Sequence, residues 1–110
     1  MLNDKKCLPN VLWVAQNGAE ESERAEALAV LPNFYVGSPE VPPEKVLSTI
    51  CGLLADGSNF VRVNAAAALQ TIGTSKQAAC IEAVLPKQTD DTVRGAMEQA
   101  MDALRKRPAK

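Results

Sequence analysis

Apolar residues recur along this chain at three- and four-residue steps, and turn-forming residues cut it into six segments. Val46, Leu47, Ile50, Leu53 and Leu54 lie at helical spacing and predict a helix over about residues 43–55. It opens on Pro43, whose missing N–H is no loss in a first turn. Val61, Ala65, Ala68, Leu69 and Ile72 predict the next helix, from Asn59 to Ile72, closed by Gly73. Two earlier helices are predicted over about residues 4–16 and 20–31. Asn17-Gly18 ends the first with residues that tolerate the left-handed C-cap conformation. Glu20, Glu21 and Glu23 crowd the first turn of the second, where the helix dipole favours negative charge, and Pro32 stops it. A fifth helix is capped by Ser75 or Thr74 and ends near Pro86. A sixth is capped by Asp90 or Asp91 and runs to about Lys106, with Arg105, Lys106 and Arg107 suited to a helix C-terminus.

Short connections make neighbouring helices antiparallel, so the six fall into pairs of about residues 4–31, 43–73 and 74–107 within a single domain, 1–110. The one long connection, about residues 32–43, holds Pro32, Pro39, Pro42 and Pro43 and is not a continuous helix. In the sixth helix Val93, Ala96, Met97, Ala100, Met101, Ala103 and Leu104 share one apolar face, with charged residues opposite. That is the pattern of a terminal, capping helix. In the fourth helix Val63, Ala66 and Ala67 lie outside the main stripe, as in a helix covered on several sides. The two helices also share a motif. Val61-Arg62 and Val93-Arg94 each open a helix, and 93 − 61 = 32 positions separate them. A recurring offset near thirty residues predicts stacked helical hairpins, each needing a neighbour to bury its apolar face.

The residues Asp56, Val61-Arg62, Ala65-Ala66, Ala68-Leu69 and Ile72-Gly73 resemble the HEAT repeat family, in particular its short prokaryotic HEAT-like repeats. A second copy, Asp91, Val93-Arg94, Ala96, Ala100-Met101 and Leu104, keeps Val-Arg and the apolar spacing. In a fainter first copy Arg24, Ala27, Leu28 and Leu31 stand in, with no Val before the Arg. The resemblance implies an all-α fold, a right-handed α–α superhelix of three helical hairpins. It also implies that Arg62 and Arg94 bond to inter-helix aspartates, making Asp56 and Asp91 candidate partners. Two roles are open for these arginines, a ladder that aligns repeats and a grip on an acidic partner. By the same resemblance the second helices line a concave face, which makes Asn64, Ala67, Gln70, Thr71, Glu98, Gln99 and Asp102 candidates for a partner-facing surface.

Composition narrows the function. There is no histidine, the commonest general base and neutral metal ligand. No Gly-rich phosphate loop, serine elbow or Cys-pair zinc pattern occurs, so the chain is read as non-catalytic, without cofactor or metal. The net charge of −1 is mildly uneven and gives no strong basic face, which argues against nucleic acid. Cys7, Cys51 and Cys80 are far apart and odd in number, and are read as unpaired apolar fillers in a reducing cytoplasm. No segment reaches the roughly 20 apolar residues of a membrane span. Lys5-Lys6 precede an apolar run, but Pro9 and Asn10 interrupt it and argue against a signal peptide.

Phe34 and Tyr35 sit together in the proline-rich connection, either as anchors for a partner or as a latch folded over the helix ends. Trp13 is read as core or end-cap. The function expected is a scaffold or adaptor that binds a protein partner through its stacked helices. A homodimer formed by end stacking is a further expectation. The resemblance also implies two alternatives: an accessory subunit of an enzyme such as a bilin lyase, or a nucleic-acid binder.

Overall fold

Capping side chains mark where the second helix of each hairpin begins in this computed structural model, which describes residues 5–37 and 41–107. A 3-10 turn, Lys5–Cys7, leads into α1, Leu8–Asn17. Helix α2, Glu21–Val30, opens on a capping box in which the Glu20 N–H donates to Glu23 Oε1 at 3.2 Å. Helix α3 is Glu44–Leu53, with Pro43 just outside it as N-cap. Ser58 Oγ accepts the Val61 N–H at the start of α4, Asn59–Ile72, and Asp90 Oδ1 accepts the Val93 N–H at the start of α6, Asp91–Arg105. Between them α5, Ala78–Val84, is short and lies between 3-10 turns at Ser75–Gln77 and Leu85–Lys87. Pro32 and Pro86 each sit in a 3-10 turn directly after a helix, where the missing N–H tightens and ends it.

Gly18 ends α1 for a different reason from the one expected. Its φ of −54° and ψ of 135° are not left-handed. A Cβ there would come 2.8 Å from the Val14 carbonyl oxygen and 3.1 Å from Glu23 Cβ, so glycine is needed because α1 and α2 turn so tightly.

The helices form two layers in a slab 37 × 35 × 18 Å. Helices α2, α4 and α6 lie side by side in one layer, with α4 in the middle. Helices α1, α3 and α5 form the other, each packed on the second helix of its own hairpin. Ala65, Ala66 and Ala68 are all buried in α4, and these small residues let it be flanked on both sides. Helix α6 buries one stripe, Val93, Met97, Ala100 and Leu104, and presents charges elsewhere. Between the layers Leu28, Leu31, Ile50, Leu54, Leu69 and Ile81 are completely enclosed. No described residue is in a strand, and the fold is all-α as expected.

Three expectations are corrected. Phe34 and Tyr35 are 4% and 5% exposed, so they are a latch over the helix ends and not anchors for a partner. Burying both rings is favourable because the long connection would otherwise leave them in water. Trp13 is 61% exposed on the outer face of α1, not core. The third correction concerns the cysteines. Cys51 in α3 and Cys80 in α5 form a disulfide with Cα atoms 5.8 Å apart, while Cys7 is exposed and lies outside that bond. Sequence distance concealed the pairing because it depends on how two hairpins stack. The outer helices α3 and α5 otherwise pack little against each other, so the bond is the main tie between them. It also removes the argument for a reducing compartment, because such bonds persist under oxidising conditions.

The disulfide spans 29 positions, a loop whose closure entropy corresponds to about 3–4 kcal/mol of stabilisation. Reduction, or the Cys51→Ser/Cys80→Ser pair, is therefore expected to lower the unfolding free energy by that order in urea titration. An unchanged midpoint on reduction would contradict the assignment.

Candidate functional site

Each hairpin places an arginine at the start of its second helix, and these three side chains share one bonding scheme. Arg24 donates to the Gly18 carbonyl at 2.8 Å, Arg62 to the Asp56 carbonyl and Arg94 to the Gln88 carbonyl at 2.7 Å, each across six residues. Every arginine thus closes the turn of its own hairpin. The first two also reach forward. Arg24 holds both oxygens of Asp56 in the next turn, Nε to Oδ2 at 2.9 Å and Nη2 to Oδ1 at 3.1 Å. Arg62 Nη1 donates to Gln88 Oε1 at 3.1 Å in the turn after that. Among the described residues Arg94 has no such forward bond.

The partners differ from those expected. Asp56 meets Arg62 through its backbone carbonyl, and its carboxylate belongs to Arg24 of the preceding hairpin. Asp91 is an exposed first-turn residue of α6 and takes no part. Its expected place is filled by Gln88, and the 32-residue step would have found it, since 88 − 56 = 32. Gln88 is only 4% exposed, and both polar atoms of its side chain are bonded: Oε1 accepts from Arg62 and Nε2 donates to the Val84 carbonyl at 2.9 Å.

Burial pushes the Asp56 carboxyl upward, but hydrogen bonds from Arg24 and the Ser58 N–H outweigh it, and the carboxyl lies below its ordinary value of 3.8. Its bond to Arg24 in turn raises the guanidinium further above its ordinary value. The two shifts describe a structural ion pair, tied down on both sides, with little freedom to grip a ligand.

A groove runs between α2 and α4 on the open face of the inner layer. Ser22, Glu26, Ala29 and Asn33 line one wall and Phe60, Asn64, Ala67 and Thr71 the other, both at helical spacing. At about 1.5 Å per residue these walls are roughly 16 Å long. Ala29 and Ala67 keep the groove open. Phe60, 55% exposed, stands at one end and Val36, 61% exposed, at the other. Asn64 and Thr71 turn their side chains onto the α4 backbone, bonding to the Phe60 and Ala67 carbonyls at 2.9 and 3.0 Å.

Of the expected surface residues, Asn64, Ala67 and Thr71 therefore meet in this groove. Gln99 stands one 32-residue step from Ala67 and is likewise exposed. Gln70, Glu98 and Asp102 belong elsewhere. The same step carries Ala66, fully buried, to Glu98, exposed, and Gln70, half-buried, to Asp102, exposed. Positions covered in α4 and bare in α6 are those that face a following repeat. Glu98, Asp102 and Arg94 thus mark the end of the stack and not its inner face. Phe60 was missed, although it lies off the Val61, Ala65, Leu69 stripe and four residues before Asn64.

Antiparallel helix pairs in two layers, registered by a repeated arginine–turn bond, define an α-helical repeat protein. Residues 8–102 match the family model for HEAT repeats, and the chain belongs to the HEAT repeat family. That family forms helical solenoids, is generally non-catalytic and commonly serves in protein-interaction scaffolds. No curated protein and no solved structure matches the chain. Among the described residues no helix is long and apolar enough to cross a membrane.

A depressed carboxyl value means that the unfolded chain takes up the proton first, so stability rises with pH. The Asp56 contribution is complete above the ordinary value of 3.8 and is lost as pH falls through the lower folded value. Urea midpoints measured across this acid range are expected to fall more steeply for the native protein than for Asp56→Asn. Parallel profiles would show that the pair does not set acid stability.

Proposed function

We propose that this chain is a non-catalytic scaffold that binds a segment of a protein partner in the groove between α2 and α4. The observation that carries the reading is the exposure of Phe60 and Val36 at its two ends, with exposed alanines in the walls between them. Exposed large side chains beside a concave surface are the usual anchors of a protein interface, and small residues leave room for the partner's own side chains. The polar rim, Ser22, Glu26, Asn33 and Asn64, supplies hydrogen-bonding groups without a field strong enough to select a polyanion. No groove-lining residue is cationic, which argues against nucleic acid on this face. The Cys51–Cys80 bond suits an oxidising compartment better than the cytoplasm.

A photoreactive amino acid placed at Ala67 is expected to trap a partner, while one at Ser48 on the outer helix α3 is not. Phe60→Ala should abolish the adduct and change stability by no more than about 0.5 kcal/mol, since the ring is largely in water. Equal adducts from the two positions, or an adduct that survives Phe60→Ala, would move the interface away from this groove.

A further inference from the structure

The two ends of the stack are built differently. At the end formed by α6, the positions that would face a further repeat carry Arg94, Glu98 and Asp102, all exposed. Charges on a terminal face keep it in water, as a capping repeat requires. The first hairpin meets α3 and α4 on one flank. Among the described residues no helix packs on its other flank. There α1 and α2 leave an open cleft of about 370 Å³ lined by Asn10, Val11, Val14, Glu23, Glu26, Ala27 and Val30. Val11, Val14 and Val30 are only half-buried, so a row of valines stands partly in water between the two helices.

We infer that this cleft is the docking site for a basic amphipathic helix of a partner protein; it shares only Glu26 with the groove between α2 and α4. Three observations select that occupant. The floor is apolar and follows two antiparallel helices of ten residues each, about 15 Å long, so a helix of some three turns fits ridges into grooves along it. The lining carries two carboxylates, Glu23 and Glu26, and no cation. Glu20 stands exposed in the adjoining turn, whereas Glu21 accepts from Ser58 Oγ of the second hairpin, the hairpin whose Asp56 holds the charge of Arg24. A helix with apolar residues at three- and four-residue steps and Lys or Arg beside them complements both features. A second copy fits less well. Its α6 end would set charges against the valines, and its own first hairpin would bring two sets of glutamates together, where like charges are costly.

The direct test is a titration of the intact, disulfide-bonded protein, followed by backbone amide NMR. The probe is a synthetic helical peptide with leucines at three- and four-residue steps flanked by lysines, compared with a twin carrying glutamates in place of the lysines. The lysine peptide is expected to bind saturably and to shift the amides of Val11, Val14, Ala27 and Val30. The twin should bind at least about tenfold more weakly. Asn10→Lys adds an opposing charge at the rim. Glu23→Gln removes a carboxylate yet keeps a side chain able to complete the capping box. Each should weaken the lysine peptide roughly two- to fivefold. Phe60→Ala should leave its affinity unchanged, which separates this site from the groove. Equal binding of the two peptides, binding of neither, or shifts confined to the groove would overturn the assignment. So would a dimer in light scattering that covers the cleft.

Discussion

The arginine at the start of each second helix is the contact on which the arrangement of the stack depends. It ties its own turn by a backbone bond across six residues and, in the first two hairpins, captures the side chain of the next turn. Apolar burial alone would let neighbouring helices slide, because packing of alanines and leucines is nearly as good one turn away. A guanidinium that must meet a carbonyl on one side and a carboxylate or amide on the other has a single register. That register sets Phe60, Asn64, Ala67 and Thr71 of α4 opposite Ser22, Glu26, Ala29 and Asn33 of α2. The groove is a consequence of the ladder. The half-buried ion pair is also costly to break, since loss of one member leaves the other desolvated without a partner.

The same scheme gives the stack a direction. It starts at Gly18, which offers a carbonyl and has no side chain for an earlier arginine to hold. It ends at Arg94, which closes its own turn and reaches nothing beyond among the described residues. One terminal face carries charges and the other is a cleft lined by valines. The disulfide reinforces the outer layer where the ladder cannot act. It joins α3 to the short α5, whose seven residues would be marginal without tertiary support.

Much of this was legible in the order of residues. Helical spacing of Val61, Ala65 and Leu69, the capping residue Asp90, and the prolines after α2 and α5 are local signals, and the helices fall where they point. Contacts between hairpins were harder to read. The repeat pattern points to Asp91 as the ladder acid, whereas Gln88 supplies the acceptor with an amide oxygen. Cys51 and Cys80 meet only because two hairpins stack. Glu98 and Asp102 share a helix with Gln99 but face the end of the stack, a distinction that depends on which neighbour is missing. Phe34 and Tyr35 depended on the path of a long connection, which proline content alone does not determine. Three of the seven residues expected on that surface, Asn64, Ala67 and Thr71, line one groove because they are spaced along one face of a single helix.

The central claim, that the arginine ladder couples one hairpin to the next, is tested most directly by a double-mutant cycle on Arg24 and Asp56. Urea unfolding of Arg24→Ala, Asp56→Ala and the double variant would be compared with the native protein. The account predicts non-additivity, with the double variant losing clearly less stability than the sum of the two single losses. Additive losses would mean that the two side chains act independently and that packing alone holds the hairpins in register.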